Sequence, residues 1–157
     1  MYRRIVIWAL VCLSVFSSCS APRSYEAFVK AGDVDSTGRY CFSMEMEDTS
    51  VVYAVYLYMR IDASREEFDR MGDIRVDASW ISPSESVFEE TVYIPKSSFV
   101  CSAGAAWDCE VLYRSEVTPD SYGKWQLKLG LPSVAGFDGF RGIGVVLEKS
   151  NHRYDKN

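Results

Sequence analysis

Apolar and polar residues alternate along most of this chain from Arg39 onward. Phe42, Met44 and Met46 are separated by polar residues, so one face of an extended segment would be apolar. A period of two is typical of half-buried β-strands, because successive side chains of a strand point to opposite faces. The pattern predicts seven strands: the segment after Arg39, then Val51 to Ile61, Ile74 to Trp80, Val87 to Ile94, Cys109 to Val117, Tyr122 to Leu131 and Arg141 to Lys149.

Two of these predicted strands indicate how the sheets are arranged. The segment from Val51 to Ile61 is apolar or aromatic on both faces over most of its length, which favours a central position. In the last strand Gly142 and Gly144 share one face, and this leaves room for close approach of a neighbour. Turn residues separate the strands. We therefore predict an all-β fold, a single antiparallel β-sandwich of the immunoglobulin-like or jelly-roll-like type.

Two short segments are predicted to form helical turns instead. The first spans Arg23 to Ala31. The second spans Ser64 to Arg70, and its serine is followed three residues later by Glu67, which is the spacing of a capping box. Helices of this length depend on tertiary packing for their stability.

The N-terminal residues have the organisation of a secretory signal. Two arginines precede an apolar stretch from Ile5 to Phe16, which is too short to span a bilayer. Because Cys19 stands where cleavage is expected, the segment from Phe16 to Cys19 resembles the lipobox of bacterial lipoproteins. That resemblance implies that residues 1–18 are a signal peptide and that Cys19 is acylated and becomes the first residue of the mature chain.

The expected mature chain suits one domain. Its 139 residues are enough for one hydrophobic core, with a tether at 19–38, the sandwich at 39–149 and a polar tail at 150–157. Loss of the two signal arginines leaves 15 basic and 22 acidic residues, a net charge of −7. This charge disfavours nucleic acid as a partner, since phosphate binding needs a basic face. Membrane attachment is therefore expected through the acyl chains.

Three cysteines remain once Cys12 is removed and Cys19 is acylated. Cys101 and Cys109 could close a short loop as a disulfide in an oxidising compartment. Cys41 would then be the odd thiol. It lies in a predicted strand, where a buried cysteine usually behaves as a small inert hydrophobe.

No metal and no other cofactor is expected. The only histidine, His152, lies in the polar tail, and the chain has no Cys-x-x-Cys. The segment from Asp33 to Gly38 resembles the first half of a calcium loop, but the position of the bidentate glutamate is occupied by Met44. We interpret this segment as a polar turn.

Catalytic residues are not expected either. A nucleophile needs a base beside it, and His152 is close to the end of the chain. Glu89 and Glu90 are the most conspicuous acidic pair in a predicted strand. Adjacent strand residues point to opposite faces, however, so this pair cannot flank one substrate bond. We interpret the pair as a solvated sheet edge and predict that the protein is not an enzyme.

Aromatic residues are the remaining candidates for binding. The chain has ten tyrosines and four tryptophans, and a sandwich core would bury most of them. Rings that stay exposed could form a platform for sugars or a groove for a protein. We predict that Trp107 is exposed in the loop between the two cysteines. Together with Tyr58 and Arg60 it is a candidate contact for a partner or ligand, and Lys128 is a further polar residue beside which exposed rings could lie.

Several segments of the chain resemble the gliding-motility lipoprotein GldH family, which consists of envelope lipoproteins of the Bacteroidetes type. Two segments replace features of that family: Cys101 to Cys109 stands in place of a longer linker, and Ser64 to Arg70 in place of an aromatic turn. The segments that carry the resemblance are the lipobox, Tyr25 to Phe28, Tyr53 to Arg60, Gly123 to Leu129 and Phe140 to Lys149.

The resemblance implies a small lipid-anchored protein of the cell envelope that is associated with gliding and with the linked secretion machinery. Such a protein acts by binding, as an accessory or scaffold subunit, with other envelope proteins as partners. Because no acidic cluster follows Cys19, we expect the periplasmic face of the outer membrane. The residues leave open an alternative function, a lipoprotein that binds a glycan or another small ligand.

Overall fold

The structure is a computed structural model that describes residues 23–46 and 50–150. The expected signal peptide, the lipidation residue Cys19 and the tail with His152 lie outside the described residues. Within the described ranges most residues belong to β-strands. The strands form two antiparallel sheets that pack face to face, so the prediction of an all-β antiparallel sandwich is confirmed.

Nine strands, one short α-helix and two 3-10 turns are present in residues 23–46 and 50–150. The turns are Lys96–Ser98 and Pro132–Val134. The other elements in chain order are β1 Arg23–Lys30, β2 Tyr40–Met46, β3 Val52–Asp62, α1 Arg65–Arg70, β4 Ile74–Ile81, β5 Val87–Ile94, β6 Val100–Ala103, β7 Ala106–Val117, β8 Gly123–Gly130 and β9 Phe140–Ser150.

The strand order decides between the two predicted kinds of sandwich. One sheet has the order β1-β9-β3-β7-β6 and the other the order β2-β8-β4-β5. In an immunoglobulin sandwich the first two strands share a sheet. Here β1 and β2 lie in opposite sheets, and the chain crosses between the sheets again after β2, β3, β5, β7 and β8. This is the order of a jelly roll, with β6 as an extra strand at one edge.

The core lies between the sheets and follows the alternation in the sequence. Phe42, Met44 and Met46 of β2 are buried, and the residues between them are exposed. On β8, Leu127 and Leu129 are fully buried. Burying a side chain of this size stabilises the folded state by about 1.5–3 kcal/mol, so the inward face of the strands is the main source of stability.

The segment from Arg23 to Ala31 is a strand, and the prediction of a helical turn there is wrong. Residues Arg23–Lys30 form β1, which pairs with β9 along its length. Tyr25, Ala27 and Val29 pack against the core, and the residues between them are exposed. The same period of two that identified the later strands is therefore present here. The described part of the sandwich begins at Arg23 and not at residue 39.

The predicted capping box at Ser64 is confirmed. The Ser64 hydroxyl accepts a hydrogen bond from the backbone N–H of Glu67, and the Glu67 carboxylate accepts one from the backbone N–H of Ser64. The helix buries Phe68, whose ring is parallel to that of Trp107 with 3.9 Å between centroids. The helix therefore closes one end of the sandwich over Trp107.

The region from Cys101 to Cys109 is a hairpin of β6 and β7, where a loop was predicted. Trp107 belongs to β7 and is only 5% exposed, and its indole N–H donates to the carbonyl of Ala63. The prediction that Trp107 is exposed is wrong. Its ring lies at an inward position of a strand, where burying a large aromatic surface stabilises the folded state.

The two cysteines of this hairpin are not joined. Cys101 lies opposite Trp107 in the ladder instead of opposite Cys109. Cys101 is exposed, whereas Cys109 is buried, and both are free thiols. The register of the hairpin therefore does not present these two residues to each other as a cross-strand pair.

Candidate functional site: an aromatic groove on the five-stranded sheet

The outer faces of the two sheets differ in chemistry. On β2 and β8 the outward side chains are all polar or small, for example Glu45, Lys124 and Gln126. On the five-stranded sheet the outward positions of β1, β3 and β7 include Phe28, Tyr58 and Leu112. Phe28 and Tyr58 therefore place two aromatic rings on the outer face of the five-stranded sheet.

Two glycines of β9 make space for these rings. In the ladder Gly144 lies between Phe28 of β1 and Tyr58 of β3. A Cβ atom on Gly144 would overlap the Tyr58 ring, and a Cβ on Gly142 would come within 2.7 Å of the Phe28 ring. Both rings therefore lie over β9, and the predicted close approach at the two glycines is confirmed.

The two rings are nearly parallel and stack on each other. Their planes differ by 23° and their centroids are 5.5 Å apart. Phe28 is 41% exposed and Tyr58 is half-buried. We call Phe28 and Tyr58, together with the two glycines beneath them, the aromatic platform.

An arginine and an aspartate border the platform on its β7 side. The Arg60 guanidinium donates to both carboxylate oxygens of Asp108, at 2.7 Å from Nε and 2.8 Å from Nη2. The Ser102 hydroxyl donates to Asp108 at 2.6 Å. These bonds, chiefly that from Arg60, hold the pKa of Asp108 below its usual value, and the bond to Asp108 raises the pKa of Arg60. Both groups stay charged at physiological pH, and their relative orientation is fixed by two parallel bonds.

A second ion pair lies where β9 begins. Arg141 Nε donates to Asp62 Oδ2 at 2.7 Å. The backbone N–H of Asp62 donates to the carbonyl of Gly139 at 2.7 Å, which ties the end of β3 to the turn before β9. Both arginines at the platform are therefore held by neighbouring aspartates.

The platform and its charged border enclose a groove of about 590 Å³. That volume lies in the range of about 300–1,000 Å³ typical of small-molecule sites. We call this space the aromatic groove. It is lined by Phe28, Tyr58, Met59, Arg60, Ser98, Val100, Asp108, Cys109, Glu110 and Arg141.

The aromatic groove contains two of the three contact residues predicted from the sequence. Tyr58 and Arg60 are two residues apart on β3 and share its outer face. Trp107 is buried in the core, and Lys128 lies on β8 in the other sheet. Phe28, Asp108 and Arg141 were missed by the sequence analysis. Phe28 could have been noticed in the sequence, because it is an apolar residue on the otherwise polar face of its strand.

Cys109 lies behind the groove but is not a reactive thiol. It is buried, and burial raises its pKa to about 12. Cys41 is exposed on β2, contrary to the expectation that it is buried. Partial desolvation and the carboxylate of Asp35 raise its pKa as well. Both thiols are therefore protonated at neutral pH, and a thiol is a poor nucleophile.

A second cavity, of about 720 Å³, lies at one end of the sandwich between the segments 31–40 and 130–141. Asp35 sits beside it, and one of its carboxylate oxygens accepts hydrogen bonds from the backbone of Thr37 and Arg39 and from the Thr37 hydroxyl. These bonds, with that from the Thr37 hydroxyl the largest, hold the pKa of Asp35 well below its usual range. The prediction of a polar turn is confirmed, because this carboxylate closes the turn.

Glu89 and Glu90 lie on β5, an edge strand, and point to opposite faces as predicted. Glu89 is exposed. Glu90 is partly buried and accepts hydrogen bonds from the Tyr113 hydroxyl and from Arg114. Tyr113 in turn accepts one from the indole of Trp80. The prediction of a solvated edge therefore holds for Glu89 but not for Glu90, whose charge is paired.

Neither a metal-binding cluster nor a membrane-spanning helix is found in the part of the chain that the structure describes. No three or more histidine, cysteine, aspartate and glutamate side chains are grouped there in a way that could hold a metal ion. Over the same residues, none of the helices has the length and apolar character that crossing a membrane would require.

Comparisons with known proteins add little to this description. No family model matches the chain, and no curated protein is similar to it. Among solved structures, the enzymatically active domain of tailspike protein 4 from bacteriophage CBA120 is similar over 71% of this chain, with 5% sequence identity and a TM-score of 0.37. The similar region covers only 14% of the tailspike chain.

Proposed function

We propose that this protein is a non-catalytic binding protein of the cell envelope, anchored through an acylated Cys19, and that it binds its ligand in the aromatic groove. The observation that carries the proposal is the aromatic platform beside the Arg60–Asp108 pair. An apolar surface bordered by a few oriented polar groups is the usual composition of a binding site.

The charges in the groove favour binding over catalysis. A general acid or base works best when its pKa lies near the ambient pH. Asp108 has a lowered pKa and is bonded to Arg60 and Ser102. It is therefore suited to accept hydrogen bonds from a ligand and poorly suited to transfer a proton.

The anchor is supported by the sequence. The lipobox-like segment ends at Cys19, and the net charge of −7 for the mature chain makes adhesion to anionic lipid by charge unfavourable. An envelope location on the periplasmic face of the outer membrane, among other envelope proteins, follows from the resemblance to the gliding-motility lipoproteins. A role in motility or secretion is part of this proposal.

Metabolic labelling with a palmitate analogue tests the anchor. We expect the wild-type chain to carry the label and to sediment with membranes, and Cys19→Ala to lose both properties. Cys101→Ala is the matched control, because Cys101 is an exposed thiol of the folded domain. Full membrane association of Cys19→Ala would show that the anchor is wrongly assigned.

Retention on washed envelope fragments tests the groove independently of the anchor. The full-length Cys19→Ala chain is compared with the same chain carrying Phe28→Ala and Tyr58→Ala. We expect the groove substitutions to abolish retention. Tyr122→Ala is the control, since Tyr122 is 76% exposed but lies before β8, outside both the groove and β5. Equal retention of all three chains would rule out the groove as the binding surface.

A second candidate function, that of a scaffold subunit for another protein, is favoured by the edge strand β5. Val87, Phe88 and Tyr93 of this strand are 56%, 51% and 63% exposed. An exposed apolar edge strand can pair with a strand of a partner. We expect Val87→Lys to remove crosslinks to envelope proteins, and Tyr122→Lys, at an exposed position before β8, to leave them unchanged.

A further inference from the structure

We propose that the ligand of the aromatic groove is a neutral glycan of β-linked pyranose sugars, which stacks on the aromatic platform and is hydrogen-bonded by the Arg60–Asp108 pair. This inference rests on the proposed function, because it names the ligand class of the same groove. Three properties of the groove carry it: the shape of the platform, the geometry of the polar border and the balance of charge.

The platform has the shape that a sugar ring needs. A β-linked hexopyranose with equatorial hydroxyls presents axial C–H groups on its faces, and these are attracted to the negative face of an aromatic ring. Phe28 and Tyr58 are nearly parallel, and their centroids are 5.5 Å apart. A sugar ring could therefore stack on the exposed part of this aromatic pair, where Phe28 is 41% exposed.

The polar border supplies both donors and acceptors. A guanidinium has five N–H donors, and the bonds from Arg60 to Asp108 use two of them. Asp108 accepts three bonds, two from Arg60 and one from Ser102, which leaves part of its acceptor capacity. Adjacent hydroxyls of a sugar each donate and accept, so they can bond to the arginine and the aspartate together.

The charges of the groove favour a neutral ligand. The residues that lie side by side across β1, β9, β3 and β7 are Lys30, Gly142, Arg60 and Asp108. Two positions further along the strands, Glu110 of β7 lies opposite Tyr58 of β3. The groove is lined by two positive side chains, Arg60 and Arg141, and two negative ones, Asp108 and Glu110. A phosphate or carboxylate ligand would therefore meet no excess of positive charge. The charge of each arginine is already balanced by an aspartate.

Titration calorimetry with defined oligosaccharides tests the inference on the full-length Cys19→Ala chain. The probes are chitohexaose and cellohexaose, which are β-1,4-linked, and maltohexaose, which is α-1,4-linked and follows a curved path. We expect binding of at least one β-linked hexaose, weaker binding of maltohexaose, and no competition by inorganic phosphate. Phe28→Ala and Tyr58→Ala should each weaken binding about tenfold, as expected for loss of one aromatic contact.

Two controls keep the result interpretable. Tyr122→Ala, at an exposed position before β8, should bind like the wild type, and the thermal unfolding of each variant shows whether its fold is intact. If no hexaose binds at millimolar concentration while Phe28→Ala with Tyr58→Ala still loses retention on envelope fragments, the glycan assignment is wrong and the binding function stands. If the groove substitutions also leave retention on envelope fragments unchanged, the glycan assignment and the proposed binding function are both wrong. Binding that phosphate abolishes would identify an anionic ligand instead.

Discussion

At the scale of single residues, the groove depends on two positions that have no side chain. Gly142 and Gly144 lie at outward positions of β9, and the rings of Phe28 and Tyr58 occupy the space above them. A glycine inside a strand is usually unfavourable, because it has more conformational freedom to lose on folding and no side chain to pack. In this sheet the neighbouring aromatic side chains supply that packing.

Gly144→Ala should therefore destabilise the fold, because the Tyr58 ring has to move to make room for the added atom. The added Cβ would overlap that ring, and overpacking of this kind costs about 1–3 kcal/mol. Chemical denaturation monitored by tryptophan fluorescence measures the change. Gly72→Ala is the matched control, since a Cβ at Gly72 has nothing within 4 Å. Equal stability of the two variants would show that Tyr58 does not lie over Gly144.

The Arg60–Asp108 pair should make stability depend on pH in the acidic range. The pKa of Asp108 is lowered in the folded state, chiefly by Arg60, so its stabilising contribution is complete above the unfolded value of about 3.9 and disappears as the pH falls through the lowered folded value. Asp108→Asn should thus be less stable than the wild type at neutral pH, and this difference should shrink below about pH 4.

Urea denaturation of both chains across this pH range measures the difference. Asp138→Asn serves as the control, because Asp138 is an exposed aspartate whose backbone carbonyl, and not its carboxylate, bonds to Arg141. A difference between Asp108→Asn and the wild type that stays constant down to pH 2 would contradict the role of the Arg60 bond.

At the scale of elements, β1 shows where sequence patterns were sufficient and where they were not. β2, β3, β8 and β9 could be located from their alternation alone. β1 has the same alternation, with Tyr25, Ala27 and Val29 on one face, but this face has only three such residues and all three are partly exposed. Its conformation is determined by pairing with β9, a contact more than one hundred residues away in the chain.

A chain that begins at Arg39 should fail to fold as a monomer. Without β1, the edge of β9 and the core residues that Tyr25 and Val29 cover would be exposed to solvent. We expect aggregation or a non-cooperative thermal transition for residues 39–157, and a cooperative transition for residues 19–157 with Cys19→Ala. A stable, cooperative domain from residue 39 would show that β1 is dispensable.

The three cysteines of the described residues should differ in their reactivity toward alkylating reagents. Cys101 is exposed, Cys41 is exposed with a raised pKa, and Cys109 is buried with its pKa raised to about 12. Because the thiolate is the reactive form, iodoacetamide should modify Cys101 first, Cys41 more slowly, and Cys109 only after unfolding. Mass spectrometry of tryptic peptides gives the order. Protection of both Cys101 and Cys109 in the native protein would instead indicate a disulfide.

At the scale of the whole molecule, the sequence predicted the fold class but not the position of the binding surface. Inward faces could be inferred because apolar residues at every second position must be buried together. The groove is built from β1, β3, β7 and β9, whose neighbours in the sheet are distant in the chain. Tyr58 and Arg60 could be named because both lie on one strand. Phe28 and Asp108 could be placed beside them only through the strand order.

The position of β1 also determines how a mechanical load would pass through this protein. If Cys19 is the membrane anchor as proposed, a pull on it reaches the sandwich at β1, since only three residues separate Cys19 from Arg23. The backbone of β1 is registered with β9 at seven residue pairs, and tension along the strand loads these pairs together in shear. Phe28 belongs to the loaded strand, while Tyr58 belongs to β3 on the far side of β9. Tension at the membrane would therefore slide one ring of the platform past the other before the sandwich opens.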